Sequence, residues 1–148
     1  MSTTTAREAA TALFEKLLAG AAPHELAEHF DEDVDWFIPG DTSVVPWIGR
    51  RTGRAGVAEF YAQLAALTRA EALDIATVLG DGDRCVVLGS LRTTVLATGR
   101  EIETDFAFDI GTRDGLITRY RMFEDTLAVA AACASPADRP VTGTGTPG

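Results

Sequence analysis

Four long strand-like segments follow one another in the second half of the chain, and their connections limit the possible folds more than any other feature. The segments lie at residues 71–79, 84–97, 101–110 and 116–125. Short turn signals separate them, at residues 80–83, 98–99 and 111–115. Because connections this short join antiparallel neighbours, the second half of the chain predicts a continuous antiparallel sheet.

The first half of the chain is mainly helical. Its predicted elements are helices that begin near Thr5 and Pro23, a strand at 34–38, a long irregular loop at 41–53 and an amphipathic helix at 54–68. The first helix has the spacing of a capping box between Thr5 and Glu8. A proline such as Pro23 is well suited to the first turn of a helix. Apolar and polar residues alternate along 34–38, as is typical of a strand.

Helices come before strands along the chain, so we predict the α+β class rather than an alternating parallel fold. Three helices cannot cover both faces of a sheet this long. The predicted architecture is a cone-shaped, strongly curved, mostly antiparallel sheet wrapped around three helices, with an apolar pocket at the open end. We expect residues 1–134 to form this single domain, with a short closing helix at 126–134. Residues 135–148 are rich in Pro, Gly and Thr and are expected to form a flexible tail.

Charge and residue types argue against several classes of function. The 22 acidic and 13 basic residues give a net charge of −9, whereas nucleic-acid binding needs clustered Lys and Arg. No segment approaches the roughly 20 apolar residues that span a bilayer, and no secretory signal is recognisable at the N-terminus. The two histidines and two cysteines lack metal-binding spacing, and no Gly-rich phosphate loop opens a helix. We expect a cytoplasmic protein with no cofactor, metal, nucleic-acid or membrane partner.

Six short motifs occur in a fixed order between about residues 6 and 133, at 30–36, 38–40, 46–49, 53–60, 114–117 and 120–126. This ordered set resembles the SnoaL-like, ketosteroid isomerase-like branch of the nuclear transport factor 2-like superfamily. The resemblance implies the curved sheet, the pocket and a homodimer. It does not select a reaction, because the family includes polyketide cyclases, isomerases, epoxide hydrolases, dehydratases and proteins that only bind ligands.

The positions at which relatives carry catalytic groups are apolar in this chain. The resemblance implies that Phe14 matches the oxyanion-donating tyrosine of ketosteroid isomerases and that Ile38 matches their general base. It also implies that Met122 matches the acid of SnoaL-type cyclases and that Phe108 matches a histidine found in many relatives. None of these four side chains exchanges a proton. Either the pocket uses other residues or it performs no acid–base chemistry.

Strand alternation identifies the side chains that face the predicted pocket. Glu124 is the candidate acid or base, since apolar burial raises a carboxyl pKa; alternatively it is solvated or paired with Arg119 or Arg121. Tyr120 either donates a hydrogen bond to a substrate carbonyl or is a wall tyrosine with a satisfied hydroxyl. Trp36 is either a flat surface for a planar ligand or part of the core. The predicted substrate-binding residues are Phe14, Trp36, Ile38, Trp47, Phe106, Phe108 and Met122, with Trp47 on a loop that could cover the mouth.

Two interpretations of function therefore stay open. In the first, a cofactor-independent enzyme isomerises, cyclises, hydrates or dehydrates a hydrophobic polyketide-, terpenoid- or steroid-like molecule, with Glu124 moving the proton and Tyr120 polarising a carbonyl. In the second, the same cavity only binds a hydrophobic ligand. A third possibility is a dimerisation module with a collapsed cavity. A homodimer is expected in each case, because long sheet faces that carry Val, Leu and Ile need covering.

Overall fold

The computed structural model describes residues 4–134. The elements, in chain order, are α1 (Ala6–Leu18), α2 (Pro23–Ala27), β1 (Phe30–Ile38), β2 (Gly49–Thr52), α3 (Gly53–Leu67), β3 (Thr68–Asp81), β4 (Arg84–Val95), β5 (Glu101–Arg113), β6 (Leu116–Glu124) and α4 (Thr126–Cys133). The predicted tail at 135–148 lies outside the described residues. The predicted α+β class is confirmed.

The strands form one six-stranded sheet in the order β2-β1-β6-β5-β4-β3. Among the strands of residues 4–134, only the β1–β6 pair is parallel, and the other four pairs are antiparallel. Register shifts interrupt the β1–β6, β3–β4 and β5–β6 ladders. Bulges of this kind bend the strand that carries them and increase its twist, which accounts for a sheet that curls around the helices.

Side-chain hydrogen bonds cap the N-termini of the first and the last helix. Thr5 Oγ1 accepts a hydrogen bond from the Glu8 backbone N–H at 3.2 Å, and the Glu8 carboxylate accepts one from the Thr5 N–H at 3.3 Å. The predicted capping box is therefore present. At the start of α4, the Asp125 carboxylate accepts a hydrogen bond from the Ala128 N–H at 3.0 Å, which makes Asp125 an N-cap.

Strand β2 was missed by the sequence prediction, which placed a long loop at 41–53. Its four residues, Gly49–Thr52, carry no alternating apolar pattern. They become a strand because they pair with β1, from Ile38 opposite Gly49 to Asp35 opposite Thr52. The other strands differ from the prediction only at their ends: β3 begins at Thr68, directly after α3, and β5 continues to Arg113.

The core lies between the helices and the concave face of the sheet. Its largest fully buried side chain is Trp36, whose ring neighbours come from β1, α3 and β6. The outer face of the sheet is more polar but also exposes Leu79, Val86, Leu88 and Phe123. None of the helices between residues 4 and 134 has the length and apolarity required to cross a membrane.

Helix α4 is anchored by the turn between β4 and β5. Arg100 Nη1 donates hydrogen bonds to the carbonyl oxygens of Ala131 and Ala134, both at 2.9 Å. Thr98 Oγ1 donates to the Ala132 carbonyl at 2.6 Å. These bonds satisfy carbonyls that a helix C-terminus leaves free. They hold α4 against β5, next to the end of β6 that carries Glu124.

Candidate functional site

An apolar cavity of about 340 Å³ lies between α1, α3 and the concave face of strands β3 to β6. Its lining residues are Phe14, Leu17, Leu18, Phe60, Tyr61, Leu64, Ala70, Glu71, Ala72, Leu73, Leu91, Thr93, Phe108, Tyr120 and Met122. Two larger grooves, of about 710 and 660 Å³, are open to solvent and lined mainly by polar and charged side chains. A hydrophobic ligand gains most from burial in the apolar cavity, which we therefore take as the candidate site.

The structure divides the predicted site residues between the cavity and the core. Phe14, Phe108, Tyr120 and Met122 line the cavity. The others do not: Trp36, Ile38, Trp47 and Phe106 are buried in the surrounding core, and Glu124 lies one step beyond Met122 on the same face of β6. The loop that carries Trp47 contributes nothing to the cavity wall, so it does not cover the mouth in this structure.

Of the lining residues that the predicted site did not include, Tyr61 of helix α3 is the one that carries a buried hydroxyl. The amphipathic pattern of the helix correctly predicts that Phe60, Tyr61 and Leu64 face inward. It does not indicate which of them meets a cavity and which meets the core. Only the packing of α3 against β1 and the sheet, with Tyr61 beside Tyr120, shows that Tyr61 belongs to the cavity wall.

Trp36 holds the rings of both tyrosines. The Tyr120 ring stacks on the Trp36 indole, with ring centroids 4.3 Å apart and planes 17° from parallel. Tyr61 meets the same indole edge-on at 6.1 Å, and Phe60 lies 4.6 Å from it. Because Trp36 is fully buried, neither tyrosine ring can move without disturbing the core. The two hydroxyls therefore have fixed positions.

The two tyrosine hydroxyls are neighbours with incomplete hydrogen bonding. Burial raises the pKa of Tyr61 above its ordinary value, and the nearby Tyr120 hydroxyl opposes that change. Burial also raises the pKa of Tyr120, and Tyr61 and Glu124 raise it further. The buried Tyr61 Oη has no well-formed hydrogen bond among residues 4–134, and the Tyr120 hydroxyl is its nearest candidate partner. Both side chains are protonated donors at neutral pH.

Glu124 is a largely buried carboxyl that forms no ion pair with any residue between 4 and 134. Burial raises its pKa to about 7 from an ordinary value of 4.5. The basic neighbours considered as partners are engaged elsewhere: Arg121 contacts Asp35 at 2.5 Å, and Arg119 contacts Asp109 at 3.1 Å. The carboxyl raises the pKa of Tyr120 and that of Cys133 in α4, and along β6 it lies beyond the cavity residue Met122.

The charged residue in the cavity wall is Glu71, and its carboxylate is already bound. Arg69 Nε donates to it at 2.7 Å and Thr94 Oγ1 at 3.0 Å. The hydrogen bond from Arg69, followed by that from Thr94, lowers the pKa of Glu71 below its ordinary value. Glu71 is therefore ionised at neutral pH and poorly suited to proton transfer. Within the described part of the chain, no three His, Cys, Asp or Glu side chains converge as metal ligands.

A family model for the SnoaL-like domain matches residues 10–120, most of the elements that build this cavity. The chain belongs to the SnoaL-like domain family. No curated protein matches this SnoaL-like chain. The resemblance stated from the motifs is thereby confirmed at the level of the family.

Solved structures similar to this SnoaL-like protein agree with its fold. A nuclear transport factor 2-like protein of Burkholderia xenovorans is 27% identical, with a TM-score of 0.79, over 90% of this chain and 99% of its own. A proposed isomerase of Rhodopseudomonas palustris is 28% identical, with a TM-score of 0.67, over 75% and 89% of the two chains. TerC, crystallised with polyporic acid, is 27% identical, with a TM-score of 0.72, over 86% and 97%.

The four positions implied by the family resemblance are apolar in the structure as in the sequence. Phe14, Phe108 and Met122 are wall residues of the cavity, and Phe14 packs on Phe108 with ring centroids 5.2 Å apart. Ile38 is fully buried in the core. The polar lining residues of the SnoaL-like cavity are Tyr61, Glu71, Thr93 and Tyr120, and Glu124 follows Met122 on the same face of β6.

Proposed function

We propose that this protein is a cofactor-independent enzyme that isomerises, cyclises, hydrates or dehydrates a hydrophobic small molecule of polyketide, terpenoid or steroid type. In this proposal the molecule enters the apolar cavity, Tyr120 polarises a carbonyl and Glu124 moves a proton. We place the enzyme in the cytoplasm. The family and the fold support a ligand-binding or catalytic role, and the proton chemistry is the part that needs testing.

The observation that carries the proposal is the largely buried carboxyl of Glu124, which follows the cavity residue Met122 on the same face of β6 and forms no ion pair among residues 4–134. A pKa of about 7 means that Glu124 is both a usable base and a usable acid near neutral pH. Tyr120 keeps its proton and can stabilise negative charge that develops on a substrate oxygen. An apolar wall excludes water and holds a flexible substrate in one shape, which lowers the entropic barrier.

A binding protein is the second candidate, and the apolar wall favours it. Phe14, Phe108 and Met122 stand where related enzymes carry proton-transferring groups. A cavity of about 340 Å³ with two hydroxyls would hold a hydrophobic ligand without any reaction. The two candidates differ in one measurable property, which is whether Glu124 exchanges a proton with a bound molecule.

Deuterium incorporation into a bound ketone tests the proposal without knowledge of the natural substrate. 2-Tetralone, a bicyclic ketone with exchangeable α-protons, is incubated with the protein in D2O at pD 7, and mass spectrometry follows the exchange. We expect the wild type to accelerate exchange above the buffer rate and Glu124→Gln to lose that acceleration while still binding the ketone. Glu103→Gln, on the exposed face of β5, is the matched control and should behave as wild type.

Binding of 2-tetralone without accelerated exchange would refute the enzyme and leave the binding protein. Absence of any binding would refute both. Equal acceleration by wild type and Glu124→Gln would remove Glu124 from the mechanism.

We also propose that the protein is a homodimer. The resemblance implies this state, and the exposed apolar side chains on the outer sheet face support it. Leu88 lies opposite Ala107, which in turn lies opposite Phe123, so these residues form one row across β4, β5 and β6. Sedimentation equilibrium of the wild type and of Leu88→Lys tests it: the variant should be monomeric, and a monomeric wild type would contradict the proposal.

A further inference from the structure

The exposure of the lining residues shows where the apolar cavity opens to solvent. Its closed end is formed by buried side chains, namely Phe14, Phe60, Tyr61, Phe108, Tyr120 and Met122. Among the described residues, the exposed ones in its wall are Leu18, Ala70, Glu71 and Ala72. These four come from two segments, the last residue of α1 and the first part of β3. The cavity therefore opens between α1 and β3, and not beneath the loop at 41–53.

The β3 side of this opening is a bulged sheet edge. Strand β3 is last in the sheet order, so one of its edges pairs with β4 and the other has no strand partner among residues 4–134. The register with β4 shifts between Ala70 and Ala72. A bulge interrupts the alternation of side chains, which explains why three consecutive residues, 70–72, border the cavity. Two of the three are alanines, whose small side chains leave the opening clear.

Hydrogen bonds hold this bulge in place. The Glu71 carboxylate accepts one from Arg69 Nε at 2.7 Å and one from Thr94 Oγ1 at 3.0 Å. Thr94 belongs to β4, so the second bond ties the bulge to the neighbouring strand. The side chains of Ala70 and Ala72 have no rotamers to change. The β3 side of the opening is therefore fixed.

The α1 side of the opening is adjustable. Leu18 is 60% exposed and is the last residue of the helix. Leu17, directly before it, packs against the core, and the chain then turns at Gly20 with a φ of +81°. An exposed side chain changes rotamer within nanoseconds, whereas a packed one is restrained by its neighbours. Rotation of Leu18 thus changes the width of the opening, because the opposite side does not move.

We propose that hydrophobic ligands enter and leave the cavity between Leu18 and the bulge at 70–72, and that the Leu18 side chain controls the rate of passage. This inference rests on the proposed function in one respect, namely that the cavity takes a hydrophobic small molecule. It adds the path of the ligand and a residue that acts on its passage. A side chain that changes only the barrier to passage alters the association and dissociation rates by the same factor. The dissociation constant, which is the ratio of the two rates, then stays unchanged.

Stopped-flow fluorescence tests this path with N-phenyl-1-naphthylamine, an uncharged probe that brightens when it leaves water. Because Leu18 is exposed, its substitution should leave the fold intact. We expect Leu18→Ala to raise both rate constants about threefold or more, and Leu18→Trp to lower both by a similar factor. The dissociation constant should change by less than about twofold in either variant.

The same substitutions at a second exposed leucine provide the matched control. Leu127 in α4 is 80% exposed and does not line the cavity, so Leu127→Ala and Leu127→Trp should bind and release the probe at wild-type rates. Ser43→Trp adds the same bulk to the loop at 41–53 and tests that loop as the alternative entrance. We expect its rates to equal those of the wild type.

The outcomes separate this inference from the proposed function. Wild-type rates in both Leu18 variants would overturn the path and leave the cavity as a ligand site. Slower rates in Ser43→Trp, with normal rates in the Leu18 variants, would move the entrance to the loop. A change confined to the dissociation rate would make Leu18 a contact of the bound ligand and overturn its control of passage. Failure of the probe to bind to the wild type would overturn the ligand cavity, and with it both the proposed function and this inference.

Discussion

Replacing Glu124 by Gln should stabilise the protein at high pH and leave its stability nearly unchanged at low pH. The side chain is largely buried, and burial raises its pKa to about 7, against 4.5 for an unperturbed glutamate. Gln has nearly the same shape but carries no ionisable proton. The difference between the two proteins therefore measures the free energy that wild type loses when Glu124 ionises in an apolar environment.

The sign follows from the relative proton affinities of the folded and unfolded states. The folded state binds the Glu124 proton more tightly, so wild-type stability is complete below pH 4.5 and falls as the pH rises from 4.5 to about 7. A pKa increase of about 2.5 corresponds to about 3 kcal/mol, since each tenfold change in affinity is worth about 1.4 kcal/mol. The partial exposure of the side chain makes this figure an upper limit.

Urea denaturation at pH 4.5 and pH 8 measures the effect. We expect Glu124→Gln to exceed wild type by up to about 3 kcal/mol at pH 8 and by almost nothing at pH 4.5. Glu103→Gln is the control, because Glu103 is exposed and forms no ion pair with any described residue. A difference between Glu124→Gln and wild type that is the same at both pH values, or that reverses sign, would show that Glu124 is not a buried, unpaired carboxyl.

Three further perturbations test the framework around the site. Gly89→Ala should destabilise the protein by about 2 kcal/mol or more in urea denaturation, because a Cβ at this position would collide with the Asp74 carbonyl oxygen. An unchanged free energy of unfolding would disprove the close approach of β3 and β4. Arg100→Ala should lower the free energy of unfolding by about 1–3 kcal/mol and speed amide hydrogen exchange in the last turn of α4, because Arg100 donates hydrogen bonds to carbonyls there. Unchanged exchange would mean that other contacts hold α4. Trp36→Ala should lower the free energy of unfolding by about 3–5 kcal/mol and weaken 2-tetralone binding, because the Trp36 indole packs against the rings of Tyr61 and Tyr120. Unchanged binding would show that this packing does not matter for the cavity.

The strands were predictable because their signals are local. Alternation with a period of two residues and turns at 80–83 and 111–115 survive in any context, and the structure places β3 to β6 close to the predicted segments. Strand β2 was not predictable in this way. Its sequence, Gly-Arg-Arg-Thr, has no apolar face, and its extended conformation depends on pairing with β1. A short strand that forms only because it pairs with a neighbouring strand need not have an alternating apolar pattern of its own.

The site was only partly predictable for a related reason. Alternation correctly placed Phe108, Tyr120 and Met122 on the concave face, and the structure finds them in the cavity wall. It placed Trp36 on the same face, where it is core. The face of a strand is a local property, whereas the division of that face into core and cavity depends on where α1 and α3 end. Tyr61 escaped attention because a helical pattern indicates only which side faces inward.

The contrast between the cavity wall and Glu124 bears on whether the protein is a catalyst. A protein that only bound hydrophobic ligands would gain stability from Gln or an apolar residue at position 124, because a buried carboxyl without a counter-ion destabilises the folded state whenever it ionises. The structure contains such a carboxyl next to Met122 on the inner face of β6, while Arg119 and Arg121 form ion pairs with other partners. Buried groups that lower stability are typical of sites where they are needed for function. On this reasoning the carboxyl of Glu124, rather than the volume of the cavity, is the feature that favours an enzyme over a binding protein.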